Sequence, residues 1–271
     1  MKDASSATNA APVDLRATAR LALACLDLTS LNDTDTEADI ARLCRRAQSP
    51  FGPVAAVCVW PRFVAFARQA LPANIAVAAV ANFPGGGSDV GLALRDVGEI
   101  VRAGGDEVDV VLPYAALQRG DDAAVSAVLA AVRAACPGLA LKVILETGVL
   151  VDQGLIARAS RLSLDAGADF LKTSTGKTPV SATMAAAETM LLAIAAHPQG
   201  AARAGLKVAG GLRTVAESAS YIALCERLLG RLALQPRRFR IGASSLLDDI
   251  EAVLGDRASL SAAPDASAGP Y

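Results

Sequence analysis

Lysine is scarce in this chain, and its placement is uneven. Five lysines stand among 26 basic residues. Four of them, Lys142, Lys172, Lys177 and Lys207, fall on or just beyond apolar runs that read as strands, and the fifth is Lys2 near the N-terminus. Arginine keeps its proton in a protein, whereas a buried lysine can shed it and attack a carbonyl. An arginine-biased composition accounts for the scarcity of lysine but not for where the remaining lysines sit. Residues two apart on a strand face the same way. On that rule Asp27 shares a face with Cys25 and Thr29, Cys58 with Trp60, Lys142 with Ile144 and Glu146, Lys172 with Ser174, and Lys207 with Ala209. Asp109 lies between Val108 and Val110. Charges inside such strands are costly unless paired. One reading is a set of buried structural ion pairs, but these rarely stabilise a fold better than apolar packing does. The sharper reading is an amine nucleophile. A second cation and desolvation both disfavour an ammonium ion, and a carboxylate within reach can shuttle protons.

Two small-residue turns suggest a phosphate. Gly210-Gly211 follows one strand, and Gly242-Ala243-Ser244-Ser245 follows the last and opens a helix. Backbone amides and a helix N-terminus suit an anion there. Helix capping by Ser244 or Ser245 is the plainer alternative and is compatible with phosphate binding. Thr175-Gly176-Lys177 offers a third contact.

Strand-like runs recur at Leu21–Thr29, Val54–Trp60, Ile75–Phe83, Glu107–Pro113, Leu139–Thr147, Asp169–Ser174, Gly205–Gly210 and Arg238–Ala243. Helical patterns fill 33–48, 61–71, 88–104, 114–135, 152–166, 180–197, 214–229 and 245–254. Asn32-Asp33, Ser88-Asp89, Asp121-Asp122 and Thr214 read as helix starts, and Gly104-Gly105 and Gly167 as stops. Strict alternation implies a parallel sheet with right-handed crossovers. Eight units predict an α/β fold, a single (β/α)₈ TIM barrel over residues 14–255. The alternative is a doubly wound open sheet, which would be expected to carry a glycine-rich turn after its first strand; none is there. Residues 1–13 and 256–271 are rich in Ala, Ser, Pro and Asp and are expected to be flexible tails.

Composition narrows the rest. The chain is 53% hydrophobic, 20% charged and only 4% aromatic, with a net charge of −1. No basic stripe with interleaved aromatics points to nucleic acid, and no polybasic patch or long apolar run points to a membrane. Residues 1–13 lack the apolar core of a secretory signal. Cysteines 25, 44, 58, 136 and 225 are odd in number and widely spaced, as expected of reduced thiols in a cytoplasmic protein. The single histidine, His197, precedes Pro198 at a helix end, which suits structure better than a metal site or catalytic triad.

The motifs resemble the 2-deoxyribose-5-phosphate aldolase family of Schiff-base aldolases. The resemblance runs from about Leu21 to Leu254 and returns at the last residue. It rests on Leu-Asp-Leu-Thr-Ser-Leu-Asn, Val-Cys-Val-Trp-Pro-Arg-Phe, Asn-Phe-Pro, Asp-Glu-Val-Asp-Val-Val, Leu-Lys-Val-Ile-Leu-Glu-Thr, Phe-Leu-Lys-Thr-Ser-Thr-Gly-Lys and Gly-Ala-Ser-Ser. The family implies reversible cleavage of 2-deoxy-D-ribose 5-phosphate to acetaldehyde and D-glyceraldehyde 3-phosphate, with no cofactor and no metal. By motif, Lys172 would form the Schiff base and Lys207 would tune it by charge proximity. Asp109 would relay protons through a water, with Lys142 beside it. Asp27 would orient a substrate hydroxyl or the second lysine. Gly210, Gly211, Gly242, Ser244 and Ser245 would hold phosphate, with Thr173 and Lys177 near the substrate. Cys58 resembles a cysteine that aldehydes can attack; a small buried apolar role is the alternative. Tyr271 would reach back to assist proton transfer at the acetaldehyde methyl carbon. The expected partners are the phosphosugar and aldehyde substrates; a homo-oligomer such as a dimer is compatible with the sequence, which does not set the oligomeric state. Two departures, Val208 where many members have proline and the glycine-rich Gly85–Gly87 loop, are expected to alter loop rigidity and substrate tolerance. Another class I phosphosugar aldolase or transaldolase, or a catalytically inactive phosphosugar-binding barrel, would share the architecture.

Overall fold

The computed structural model describes residues 14–257 and residue 259. Eight parallel strands close into a barrel: β1 (Leu26–Thr29), β2 (Ala56–Val59), β3 (Ala76–Ala81), β4 (Glu107–Val111), β5 (Ala140–Ile144), β6 (Phe170–Lys172), β7 (Gly205–Ala209) and β8 (Phe239–Ala243). Each pairs with its neighbour in sequence, and β8 returns to β1 through Leu26↔Ile241 and Asp27↔Gly242. The expected TIM barrel is therefore the observed fold. Between strands, helices cover the outside. Val57, Val77, Val108, Leu141, Leu171, Leu206 and Ile241 belong to the large core outside the sheet. Their neighbours in sequence face the barrel interior, so the alternation that placed the charges inside follows from strand geometry.

Several boundaries differ from the sequence reading. The apolar run at Leu21 is the end of a helix, Leu15–Ala24, and the strand begins only at Leu26. Ala and Leu are strong helix formers, and the Asp14 side chain accepts a hydrogen bond from Ala17 N at 3.0 Å to start the helix. Helix and strand share one unpunctuated apolar stretch, so periodicity could not locate the break. The next helix, Glu37–Arg46, is opened not by Asn32-Asp33 but by a capping box of Thr36 and Asp39. The region 114–135 is two helices, Tyr114–Gln118 and Asp122–Ala135, broken at Gly120 with φ +80°. An antiparallel pair of two-residue strands, Gln48–Ser49 with Gly52–Pro53, lies outside the barrel and was not expected.

Both chain ends were expected to be tails. Of the C-terminal segment, Asp256 pairs with Arg16, and Ser259 donates to Asp249 at 2.8 Å. Tyr271 and residues 1–13 lie outside the described residues. Among the described residues, no helix is long and apolar enough to cross a membrane.

Candidate active site

Five strands aim one acidic or basic side chain each into the barrel interior, and β4 aims two. From β1 comes Asp27, from β4 Glu107 and Asp109, from β5 Lys142, from β6 Lys172, from β7 Lys207 and from β8 Arg240. All seven are buried. Register puts them level: Asp109 pairs with Lys142, Lys172 with Lys207, and Lys207 with Arg240. Parallel neighbours about 5 Å apart with side chains on the same face must touch or repel.

Asp109 is the hub. One carboxylate oxygen accepts from Lys142 Nζ at 2.7 Å. The other accepts from Lys172 Nζ at 2.9 Å and Lys207 Nζ at 2.8 Å. Lys207 also donates to Asp27 at 2.5 Å. Lys142 also donates to Glu107 and lies 3.7 Å from Asp27. Arg240 closes the floor, donating to Asp27 and, at 2.7 Å, to Glu107. The cluster thus holds four basic groups and three carboxylates, one more base than it can neutralise. Lys172 has the fewest acidic partners of the four, with Asp109 alone.

The electrostatics follow from these contacts. Burial raises the Asp109 pKa, but the surrounding Lys142, Lys172 and Lys207 outweigh it and hold the carboxyl well below the usual range. Asp27 is likewise lowered, with Arg240, Lys207 and Lys142 overcoming burial. Lys207 and Lys142 are pushed up against the effect of burial, mainly by Asp109, then by Asp27 for Lys207 and Glu107 for Lys142. Lys207 is therefore a standing positive charge beside Lys172.

A different wall faces the charges. Cys58, Ala78 and Val80 from β2 and β3 form an apolar cluster with Leu31, against which Trp60 and Phe83 pack. Those two rings meet edge to face, centroids 5.4 Å apart. The Cys58 thiol lies 3.8 Å from an Asp109 oxygen, and burial pushes its pKa up. That suppresses the thiolate, so the geometry gives Cys58 more packing than nucleophilic character.

The loops above the cluster take the remaining expected residues. Gly210 and Gly211 both have positive φ, +89° and +86°. A Cβ on Gly210 would come within 2.4 Å of the Ser181 hydroxyl, so both conformation and space require glycine there. At Gly242 a Cβ would meet the Lys207 stem at 3.0 Å, so this glycine makes room for the second lysine. Ser244 and Ser245 are exposed, and Ser245 stands at the N-cap of Leu246–Leu254 without a side-chain capping bond. Its hydroxyl is not spent on the helix. Lys177 donates to the Leu31 carbonyl at 2.8 Å, tying the loop after β6 to the loop after β1. The Thr173 hydroxyl donates to Ala209 O at 3.1 Å and accepts from Ala209 N at 3.0 Å, stapling β6 to β7.

Glu146 does not join the lysines, although alternation placed it on the face of Lys142. The strand ends at Ile144, and Glu146 turns left-handed at φ +56°. Its carboxylate accepts from Thr175 N at 3.3 Å and from the Thr175 hydroxyl, holding the loop that follows Lys172. Glu107 and Arg240 are cluster members that the sequence reading did not single out.

A closed parallel barrel with a buried lysine–carboxylate cluster, a glycine pair after β7 and a serine pair after β8 defines a barrel enzyme built for amine chemistry. More narrowly, the chain belongs to the DeoC/LacD family of aldolases, whose family model matches residues 21–251. It is similar to a solved structure from Toxoplasma gondii ME49, provisionally assigned as a deoxyribose-phosphate aldolase. The two are 25% identical, with TM-score 0.81, over 90% of this chain and 96% of that one. A protein with the same provisional assignment from Coccidioides immitis is 28% identical, with TM-score 0.74, over 85% of both chains. The tetrameric deoxyribose phosphate aldolase of Aeropyrum pernix shares the fold at 23% identity and TM-score 0.67, over 89% of this chain and 98% of that one.

Proposed function

We propose that this aldolase cleaves 2-deoxy-D-ribose 5-phosphate reversibly to acetaldehyde and D-glyceraldehyde 3-phosphate through a Schiff base on Lys172. The observation that carries the reading is the contact of Lys172 with Asp109, 2.9 Å apart, beside a Lys207 that is held charged. The Lys172 amine adds to the C1 aldehyde of the open-chain sugar. The resulting carbinolamine loses water, leaving a protonated imine. The C3 hydroxyl then gives up its proton, the C2–C3 bond breaks, and its electron pair moves into the imine to form an enamine. C3 leaves as the aldehyde carbon of glyceraldehyde 3-phosphate. Protonation of the enamine at C2 and hydrolysis release acetaldehyde and regenerate the amine.

Each neighbour has a part in this account. Asp109 relays protons through a water at the carbinolamine stage. Held so acidic, its carboxylate orients the water and passes the proton on without retaining it. Asp27 fixes Lys207, the second of the two roles expected for it. Gly210, Gly211, Gly242, Ser244 and Ser245 hold the phosphate with backbone amides and hydroxyls, and Lys177 lies near the substrate. Thr173 supports the site through β7. The wall of Cys58, Ala78 and Val80 keeps water away from the imine. Tyr271 assists proton transfer at C2; it lies outside the described residues. No cofactor or metal takes part, and the setting is cytoplasmic.

The test is a cleavage assay with deoxyribose 5-phosphate, following glyceraldehyde 3-phosphate release by the wild type, Lys172→Arg and a chain lacking Tyr271. Turnover by the wild type and none by Lys172→Arg is expected, with slowed turnover on loss of Tyr271. Cleavage of a ketose phosphate instead of the deoxy sugar would overturn the substrate assignment.

A further inference from the structure

Arg240 is the one basic member of the cluster that does not touch Asp109, and the reaction outlined above does not use it. Its guanidinium is nonetheless more than nine-tenths buried. Nη2 donates to Glu107 at 2.7 Å, and Nη1 donates both to Asp27 and, at 3.3 Å, to Glu107. The same two carboxylates hold the lysines: Asp27 binds Lys207, and Glu107 binds Lys142. Its stem is fixed by Nε donating to Pro236 O and by the Phe170 ring, 5.6 Å from the guanidinium carbon. A planar fork bridging two carboxylates is a task that arginine performs and a lysine amine does not.

Charge counting gives this contact a consequence for the reaction. With Arg240, Lys142 and Lys207 charged, the three carboxylates are neutralised without a fourth cation. The nucleophilic amine is then the surplus base. Without Arg240 the same carboxylates face only lysines, and a proton on that amine restores the balance. The groups facing the cluster are Asp27 on β1, Cys58 on β2, Glu107 and Asp109 on β4, Lys142, Lys172 and Lys207 on β5 to β7, and Arg240 on β8; β3 supplies only Ala78 and Val80. Among the described residues no other fixed cation from the wall takes Arg240's place.

We propose that Arg240 is a positioning residue that, by binding Asp27 and Glu107 together, supplies the permanent positive charge that leaves the Lys172 amine free to attack. The inference rests on the Schiff-base reading above. Register places Arg240 two strands from Lys172, roughly 10 Å away. Across that distance in a protein interior, one charge moves a proton equilibrium by about one pH unit.

The experiment measures the rate of acetaldehyde adduct formation, trapped with borohydride, against pH. The wild type, Arg240→Met and Arg240→Lys are compared. Arg240→Met is expected to move the acid limb of the profile up by about one pH unit, while Arg240→Lys, which keeps the charge, retains the wild-type limb with lower amplitude. Arg240 also lines an open cavity of about 1280 Å³ at the N-terminal mouth of the barrel. Methylguanidinium entering by that mouth is therefore expected to return the limb of Arg240→Ala towards wild type. A purely structural role would lower the rate at every pH and leave the limb in place, and that result overturns the proposal. If Arg240→Met does not fold, Arg240→Gln, which keeps a polar side chain without the charge, decides: a limb displaced upward supports the proposal, and a wild-type limb overturns it. A wild type that forms no adduct on Lys172 would instead remove the Schiff-base reading itself.

Discussion

The two sides of the barrel interior differ in kind. From β4 round to β1, six strands carry seven ionisable groups bound into one network. From β2 and β3 come only Cys58, Ala78, Val80 and small neighbours, which pack with Leu31. On the proposed mechanism the charged side supplies the chemistry, but charges in a wet cavity would be screened and an imine there would hydrolyse. The apolar side provides low polarity and excludes water, strengthening every interaction opposite it. On that mechanism the two walls divide the work: one reacts, and the other keeps it dry.

Substitutions on each wall test this division, and the largest effects are expected on the charged side. Lys172→Arg keeps the charge but removes the nucleophile, and turnover is expected to fall by at least about 10⁴-fold with the fold intact by circular dichroism. Measurable cleavage within tenfold of wild type would reject Lys172 as the nucleophile. Asp109→Asn takes the shared carboxylate from three lysines. Activity should drop by roughly 10²- to 10⁴-fold, and denaturant unfolding should show a loss of about 3–5 kcal/mol from the broken buried network. On the apolar wall, Val80→Thr exchanges a methyl for a hydroxyl at almost constant volume. Stability should fall by about 1–3 kcal/mol while turnover changes by less than about tenfold; a loss as deep as that of Asp109→Asn would erase the distinction between the walls.

Smaller effects sharpen the picture at the rim. Ser245 has no capping bond to lose, so Ser245→Ala should cost less than the roughly 1 kcal/mol of an ordinary cap, yet raise KM for a phosphorylated substrate over its unphosphorylated analogue. Equal KM changes for both substrates would argue against phosphate contact. The smallest expected effect is on the pH dependence of stability. Asp27 and Asp109 are lowered, so their contribution is present above the ordinary carboxylate value of about 3.9 and is lost as pH falls below it. Lys142 and Lys207 are raised, so theirs is present below about 10.4 and is lost as pH climbs through their folded values. Between about pH 5 and 9 these four groups should leave Tm flat. A step in that range that disappears in Asp109→Asn would show that they titrate there.

The asymmetry was partly legible in the sequence. Lysines and aspartates at alternating positions of apolar runs are costly enough to stand out, and Lys142, Lys172, Lys207, Asp27 and Asp109 indeed converge. Glu107 and Arg240 escaped notice because each sits near the start of its strand, where a charge is usually solvated. Arg240 also follows Arg237 and Arg238 and blends into an arginine-rich surface pattern. Only inter-strand register, which a single sequence does not encode locally, brings Arg240 level with Lys207. Glu146 was misplaced for the opposite reason: alternation extends a strand until a left-handed residue ends it, and nothing in Leu-Glu-Thr announces that turn. The Leu21 run was misread because helix and strand there share the same apolar residues.

The central claim is that, among the lysines of one buried cluster, Lys172 alone reacts. Borohydride reduction in the presence of acetaldehyde, followed by peptide mapping, tests it most directly. The account predicts an N-ethyl group on Lys172 and none on Lys142 or Lys207. A label on either of those two, or a chain left unlabelled under conditions where it cleaves substrate, would contradict it.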